Sequence, residues 1–504
     1  MKKEKSARNH FLIGIEGLLF FISLVAYIYT RLDPIFRQTV PYTYDQGRDF
    51  LKALDIVKNH NLTFIGPTTG INGLFHGAWW YYFLSAPYVL FSARPIGFYY
   101  AIFMVVALST LLFAYFLGRK LNNTVALLFF IVIAFSPYFI PTAFQASNNF
   151  MVPPFILLLL FSIYKTFEKY EYKYIFLTSL ALGFIFEFEV AFGLFIIPSA
   201  IISFLFFVKN KRLFTVKNVL FFLAGFIIPL LPRLLFELKN NFLQTKTIIG
   251  FFIKPSATNP TPFSTAFHDR ALMFWNYYKS MFLEQQYLPI IVLLLTIVCV
   301  AYGYRKLTED KKYTFIYVSL LTTFLFLSSL LYRNNFFWAN YYEGLPYFFL
   351  YLTVIAVYAA LLKGRQGTIV LLILISLYLV SGLITVYRYA ISPKENNEGL
   401  RRTVMAIKYV VEQSDKERYC LKEYTPPVIT HTYHYIEEYN ELANIAKKPQ
   451  TEYVNKQCWY IIEYDPYAFR VEKWRQENIP PHAKKIKEHS IGKEISIELW
   501  QQAN

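Results

Sequence analysis

The sequence predicts a polytopic α-helical membrane protein of about eleven transmembrane helices with a small C-terminal extracytoplasmic α/β domain. Three observations predict it. Of 504 residues, 55% are hydrophobic and 16% are charged, where a soluble chain carries about 25% charged residues. The apolar residues fall in runs near the ~20 residues that cross a bilayer, not at the spacing of a soluble core. Past residue 390 those runs give way to charged stretches broken by proline pairs at 426–427 and 480–481. The chain therefore divides into a membrane domain, 1–390, and a second domain, 391–504.

The spans read as 11–30, 96–117, 124–140, 151–164, 174–188, 190–208, 218–236, 289–304, 313–332, 345–362 and 368–387. With the basic start (Lys2, Lys3, Lys5, Arg8) inside, alternate loops fall at 118–123, 165–173, 209–217, 305–312 and 363–367. Those five hold 15 Lys or Arg in 37 residues, whereas the opposite loops, 31–95, 141–150, 237–288 and 333–344, hold 12 in 139. Cytoplasmic loops carry such an excess, so a cell-membrane protein is expected, with a cytoplasmic N-terminus and an outer C-terminal domain. The net charge of +17 is then topology, and no nucleic-acid partner is implied.

Segment 77–93 decides the parity. It is apolar enough for a twelfth span, which would put all five basic loops outside. It is short, contains Pro87 and opens on Trp79, Trp80, Tyr81 and Tyr82, residues favoured at a membrane interface. It is read as a helix in the outer surface. The first span begins like a signal peptide, but its apolar run is too long and no small-residue cleavage site follows, so it reads as an uncleaved anchor.

In the second domain, 400–413 has helical spacing, while 418–424, 458–465 and 493–500 read as strands. Cys420 and Cys458 lie in two of these strands. An outer location permits a disulfide, with two reduced buried cysteines as the alternative. His431, His434 and Glu437 could join the cysteines around a metal, although the spacing matches no standard zinc pattern.

The sequence holds no glycine-rich phosphate loop, HExxH, GxSxG or GxGxxG, which leaves an ATP-driven pump or a metalloprotease without support. Polar clusters on the outer turns stand out instead. Loop 31–95 supplies Asp45, Arg48, Asp49 and His76, and the next outer turn supplies Gln145, Asn148 and Asn149. Glu187 and Glu189 sit at a tight turn. Arg233, Glu237, Lys239 and Asn241 follow, then Arg333, Asn334, Asn335, Tyr341 and Tyr342. Ionisable groups held at the edge of a membrane domain mark a site. Asp45, His76, Asn149, Arg233 and Tyr342 are expected to line one pocket. The middles of the spans are nearly free of charge, unlike a transporter with its polar site near the midplane.

The order of basic start, single span, outer loop with an acidic motif, aromatic interfacial segment and many further spans resembles the GT-C glycosyltransferases. More narrowly it resembles family 39, the protein O-mannosyltransferases and lipid A aminoarabinose transferases. In YDQGRDF, Asp45 stands at the family's Asp position and Arg48 at its Arg position. Gln46 stands where many members have Glu, so the second acid is missing or moved to Asp49. GLFHGAWWYYFL places His76 at the basic position before the Tyr-Tyr segment, and PRLLFELKNNF and NYYEGLPYFF are similar to segments of bacterial members. The resemblance covers residues 10–390 and does not extend to the tail.

It implies an enzyme that moves a sugar from a polyprenyl-phosphate donor in the membrane lipid to a hydroxyl of a glycan, lipid or protein acceptor. Such a transfer needs a base near the acceptor oxygen and stabilisation of the departing group. Asp45 fits as the base of an inverting displacement. Arg48, His76, Arg233 and Arg333 are the cations available for phosphate, and Asp49, Asn149, Glu187, Glu189, Glu237, Tyr341 and Tyr342 are further substrate contacts. No cofactor is required and a divalent ion is not expected, although Glu187 and Glu189 leave room for one. Structural roles compete with these. Asp45 could cap a helix, Asp49 could support Arg48, His76 could be an ordinary interfacial histidine, and Arg233 could pair with Glu237 at i,i+4. Two other functions stand as alternatives: a flippase or transporter of lipid-linked glycan, and a non-catalytic membrane scaffold.

Overall fold

A backbone in lipid must satisfy its own hydrogen bonds, and every apolar run read above is a helix. The computed structural model describes residues 2–253, 261–282, 287–332, 339–392, 398–426 and 429–502. Helix α1 (Lys2–Arg37) leads to α2 (Tyr44–Asn59), a hairpin of β1 (Ile65–Thr68) and β2 (Phe75–Gly77), and α3 (Trp79–Leu90). Then come α4 (Pro95–Lys120), α5 (Asn123–Phe135), α6 (Val152–Lys169), α7 (Tyr172–Phe188), α8 (Val190–Leu205) and α9 (Val216–Lys239). The remaining helices of this part are α10 (Leu243–Ile253), α11 (Phe263–Ser280), α12 (Leu288–Gly303), α13 (Glu309–Ser329), α14 (Leu345–Leu361) and α15 (Arg365–Ile391). The tail holds α16 (Gly399–Glu412), β3 (Leu421–Tyr424), α17 (His431–Leu442), β4 (Gln457–Glu463), α18 (Ala468–Asn478), β5 (Lys484–Ile491) and β6 (Ile495–Gln501).

Among the described residues, six helices are long and apolar enough to cross a membrane: α1, α4, α6, α9, α12 and α15. The shorter apolar helices α5, α8 and α14 stand among them. Helix α3 has 12 residues, or ~18 Å at 1.5 Å per residue, too short for a ~30 Å hydrocarbon core.

Helix α5 is apolar on every face, and Val125 to Phe135 are all buried, which makes it the centre of the bundle. It ends at Phe135, before the expected limit of 140, because Ser136 and Pro137 turn the chain and Arg31 meets its open end. The fully buried Arg31 guanidinium donates to the carbonyls of Ile133 (2.6 Å), Ala134 (3.1 Å) and Phe139 (3.1 Å) and lies over the Tyr27 ring. A cation among the orphan carbonyls of a helix C-terminus is favourable. Helices α7 and α9 approach closely at Gly183, where a Cβ would be tight, and at Gly225, which leaves no room for one, and this contact carries Glu187 toward Arg233.

In the tail, four strands run in the order β3-β4-β6-β5, with β3 and β4 parallel and the other pairs antiparallel. Cys420 and Cys458 are joined as a disulfide, so neither thiol is free to bind a metal and the cysteine–histidine metal site does not form. The largely exposed β5 lies at the sheet edge, and its Lys-rich sequence has no apolar alternation to read. The tail docks on the segment around α2. Leu400 N–H donates to the Val40 carbonyl (3.0 Å), Arg401 N–H to that of Gln38 (2.7 Å), Tyr42 hydroxyl to that of Thr432 (3.0 Å) and Tyr435 hydroxyl to that of Ala93 (2.8 Å).

Candidate functional site

Helix α2 begins at Tyr44 because Thr43 and Gln46 close its first turn: the Thr43 N–H and hydroxyl both donate to Gln46 Oε1, at 2.8 and 2.7 Å. Thr43 is therefore the N-cap, and the capping role considered for Asp45 is corrected. Gln46, at the position where the resembled family often has Glu, serves the helix start. The Asp45 carboxylate is 43% exposed and lies 2.9 Å from Arg48 Nη1. Arg48 Nε donates to Asp49 Oδ1 at 2.8 Å, and Trp80 Nε1 donates to Asp49 Oδ2 at 2.7 Å. Burial raises the pKa of Asp49 to about 6, against the opposing pull of Arg48 and Trp80. Trp80 thus fixes Asp49, Asp49 fixes Arg48, and Arg48 orients the exposed Asp45 carboxylate.

A second cluster forms where α7, α9 and β2 meet. Arg233 Nε lies 2.6 Å from Glu187 Oε1, and Nη1 donates to the Phe75 carbonyl (3.0 Å) and to Gln244 Oε1 (2.6 Å). The i,i+4 pairing with Glu237 does not form. Glu237 instead accepts from the Gln244 and Thr245 N–H groups, both at 2.9 Å, and from the Thr245 hydroxyl at 2.7 Å. Those are the free donors at the start of α10, which a carboxylate satisfies well.

A cleft beside the β1–β2 hairpin and the start of α8 has Ile71, Leu74, Leu194, Phe195, Ile248 and Phe252 on its walls and Thr69, His76, Glu189, Tyr332 and Tyr341 as its polar side chains. Among the described residues, His76 Nδ1 is buried with no hydrogen-bond partner. Burial first, then the charges of Arg233 and Arg48, lower the His76 pKa to about 3. At neutral pH the ring offers hydrogen bonds, not the positive charge expected of it. Glu189 caps α8, accepting from the Ala191 N–H at 3.2 Å, and burial raises its pKa to about 8. The neighbouring Glu343 accepts from the Tyr138 hydroxyl at 2.7 Å, and burial raises it to about 7.

Of the five residues expected to line one pocket, His76 alone lines this cleft. Asp45 and Arg233 belong to the two clusters above and do not line it. Asn149 is buried in a short 3-10 turn beside Asn148, whose amide donates to the Phe188 carbonyl at 2.6 Å. Tyr342 is drawn into the aromatic core against Phe192 and Phe274, leaving Tyr341 at the cleft. Arg333 lies outside the described residues, with Asn334 and Asn335. Glu187 and Glu189 separate, one onto Arg233 and one into the cleft. Among the described residues, no group of three or more His, Cys, Asp and Glu could hold a metal ion. Trp80, Gln244, Tyr332 and Glu343 are the participants that sequence reasoning missed. Trp80 and Tyr332 were absorbed into apolar runs, and Gln244 carries no motif.

No family model and no curated protein matches the sequence. The fold matches that of ArnT from Cupriavidus metallidurans bound to undecaprenyl phosphate over 96% of this chain and 98% of that one, at 10% identity and a TM-score of 0.56. The chain has a GT-C-like fold. The apo form of the same ArnT matches at 10% identity and a TM-score of 0.56, over 98% of both chains. An oligosaccharyltransferase from Archaeoglobus fulgidus matches over 92% of this chain and 55% of that one, at 12% identity and a TM-score of 0.43. The GT-C-like likeness reaches beyond residues 10–390 into the tail, which the motifs did not. It makes the chain a polytopic helical membrane protein whose α2, β1–β2 hairpin and α3 stand between its first two long spans.

Proposed function

We propose that this protein is an inverting membrane glycosyltransferase that moves a sugar from a polyprenyl-phosphate donor to an acceptor hydroxyl, with Asp45 as general base. The observation that carries the reading is the exposed Asp45 carboxylate held 2.9 Å from an arginine that a buried Asp49–Trp80 pair fixes in turn. A helix cap or a solvated surface acid needs no such support. The fold shared with an ArnT bound to undecaprenyl phosphate supports the donor class.

In the reaction, the acceptor oxygen attacks the anomeric carbon from the face opposite the phosphate and its proton passes to the Asp45 carboxylate. The bond from the anomeric carbon to the phosphate oxygen breaks, and the lipid phosphate leaves with the electron pair. Charge develops on that phosphate, and Arg48 is the cation nearest Asp45, with a planar fork suited to phosphate oxygens. The apolar walls of the cleft suit the first isoprene units of the donor, and His76, Glu189 and Tyr341 supply hydrogen bonds for its head. No divalent ion is required, because Arg48 supplies the compensating charge for a monophosphate. The basic-loop asymmetry supports a position of this face outside the cytoplasm.

The test is transfer by purified protein offered a panel of undecaprenyl-phosphate sugars, with envelope material from cells lacking the gene as acceptor. Release of undecaprenyl phosphate with labelled product supports the reading. No donor consumed across the panel overturns it.

A further inference from the structure

The tail brings a second imidazole, that of His431, within range of the Arg48 charge, and nothing in the transfer chemistry above uses it. His431 opens α17, and its carbonyl packs on Gly47, between Asp45 and Arg48, so closely that a Cβ on Gly47 would collide with it. The position is held from several sides. The next residue, Thr432, accepts from the Tyr42 hydroxyl at 3.0 Å. Tyr435, one turn on, donates to the Ala93 carbonyl at 2.8 Å and stands edge-on to the Phe50 ring at 5.3 Å.

His431 is half-buried and its ring stands edge-on to that of His434 at 6.4 Å; its Nδ1 is buried, and neither nitrogen hydrogen-bonds a described residue. Its neighbour His434, by contrast, is bonded to the Thr430 hydroxyl at 2.9 Å. Burial, then His434 and Arg48, lower the His431 pKa, so the ring is neutral at pH 7 and suited to a hydroxyl, not an anion.

We propose that His431 is a positioning residue for the acceptor, hydrogen-bonding one hydroxyl of a saccharide while a neighbouring hydroxyl is presented to Asp45. The proposal rests on the glycosyltransferase reading and narrows it. Two hydrogen-bonding groups from two parts of the chain, Asp45 on α2 and His431 on α17, suit an acceptor with adjacent hydroxyls. A sugar has them, whereas a single serine or threonine side chain does not. His431 takes no proton in the displacement; it fixes the orientation of the sugar that supplies the nucleophile.

The test compares wild type with His431→Ala and His431→Gln, using undecaprenyl-phosphate mannose, glucose and arabinose as donor probes. The acceptors are delipidated envelope saccharide from cells lacking the gene and a serine- and threonine-rich peptide. Donor consumption in water alone reports the donor side. His431→Ala is expected to leave that consumption and the donor KM unchanged while raising the saccharide KM roughly five- to tenfold, the range of one neutral hydrogen bond. His431→Gln, which keeps a donor and an acceptor group, recovers part of the loss. Tyr435→Phe, which weakens docking alone, lowers Tm without this split. An unchanged saccharide KM in an active enzyme overturns the role of His431 and leaves the transferase reading standing. So does a parallel fall in donor and acceptor kinetics, or transfer to the peptide and not to saccharide. A wild-type protein that consumes no donor overturns both.

Discussion

Gly47 of α2 lies directly beneath His431 of α17, with no space between them for a Cβ. The helix that carries Asp45 and Arg48 is thereby locked to the tail through backbone-to-backbone contact. The atoms a Cβ would meet belong to the His431 and Thr432 main chain, which cannot swing aside as a side-chain tip can. Gly47→Ala, although it favours the helix locally, is expected to destabilise by about 1–3 kcal/mol, the range of overpacking. Thermal unfolding and protease sensitivity of the tail measure this. An unchanged Tm with an intact tail would show that the contact is loose.

Asp49 makes a prediction about pH. Its folded pKa of about 6 stands above the ordinary value near ~3.9, so between these values the folded state holds a proton that the unfolded state has lost. Stability contributed by this carboxyl therefore falls as pH rises from about 4 through about 6 and is level above. Asp49→Asn, which still accepts from Trp80, removes that drift. From pH 4 to 7 the wild type should lose stability relative to Asp49→Asn as pH rises; a stability difference that stays constant, or that moves the other way, would contradict it.

Glu187 and Arg233 form a buried pair, with side chains 0% and 7% exposed. Removing one partner strands the other charge, so Glu187→Gln is expected to cost about 3–5 kcal/mol. Adding Arg233→Met should recover part of this, because the stranded charge is then gone. A denaturation series on the single and double variants decides, and additive losses would mean that the two residues are not coupled.

The topology is open to a direct check. A reporter fused after Ser392 should be active outside the cytoplasm, and one fused at Lys120 active inside. A cytoplasmic signal at Ser392 would reverse the face on which Asp45 stands.

Helix existence was legible because a lipid-facing or bundle-centre helix must be apolar along its length, as Val125–Phe135 and Leu345–Leu361 are. Helix ends were less so: α5 stops early on account of Arg31, which is near the helix in space but far from it in sequence. The Asp45–Arg48–Asp49 cluster could be read because it is local, three residues within two turns. The partners that give those residues their roles could not. Trp80 for Asp49, Glu187 for Arg233 and the α10 amides for Glu237 are set by packing between elements, and an i,i+4 rule applied to Arg233 and Glu237 chose the wrong pair. His431 was noticed as a metal ligand beside two cysteines that are in fact bonded to each other. Its place over Gly47 depends on docking that no spacing records.

The most direct test of the central claim is turnover of Asp45→Asn in the purified transfer assay. Thr43 and Gln46 start the helix, so the variant keeps its fold, and the amide stays near Arg48 in size and position while losing the capacity to accept a proton. General-base action predicts a loss of about 10²–10⁴-fold in kcat, with undecaprenyl phosphate binding and Tm close to wild type. Near-normal turnover in a folded Asp45→Asn protein would contradict the assignment of the base.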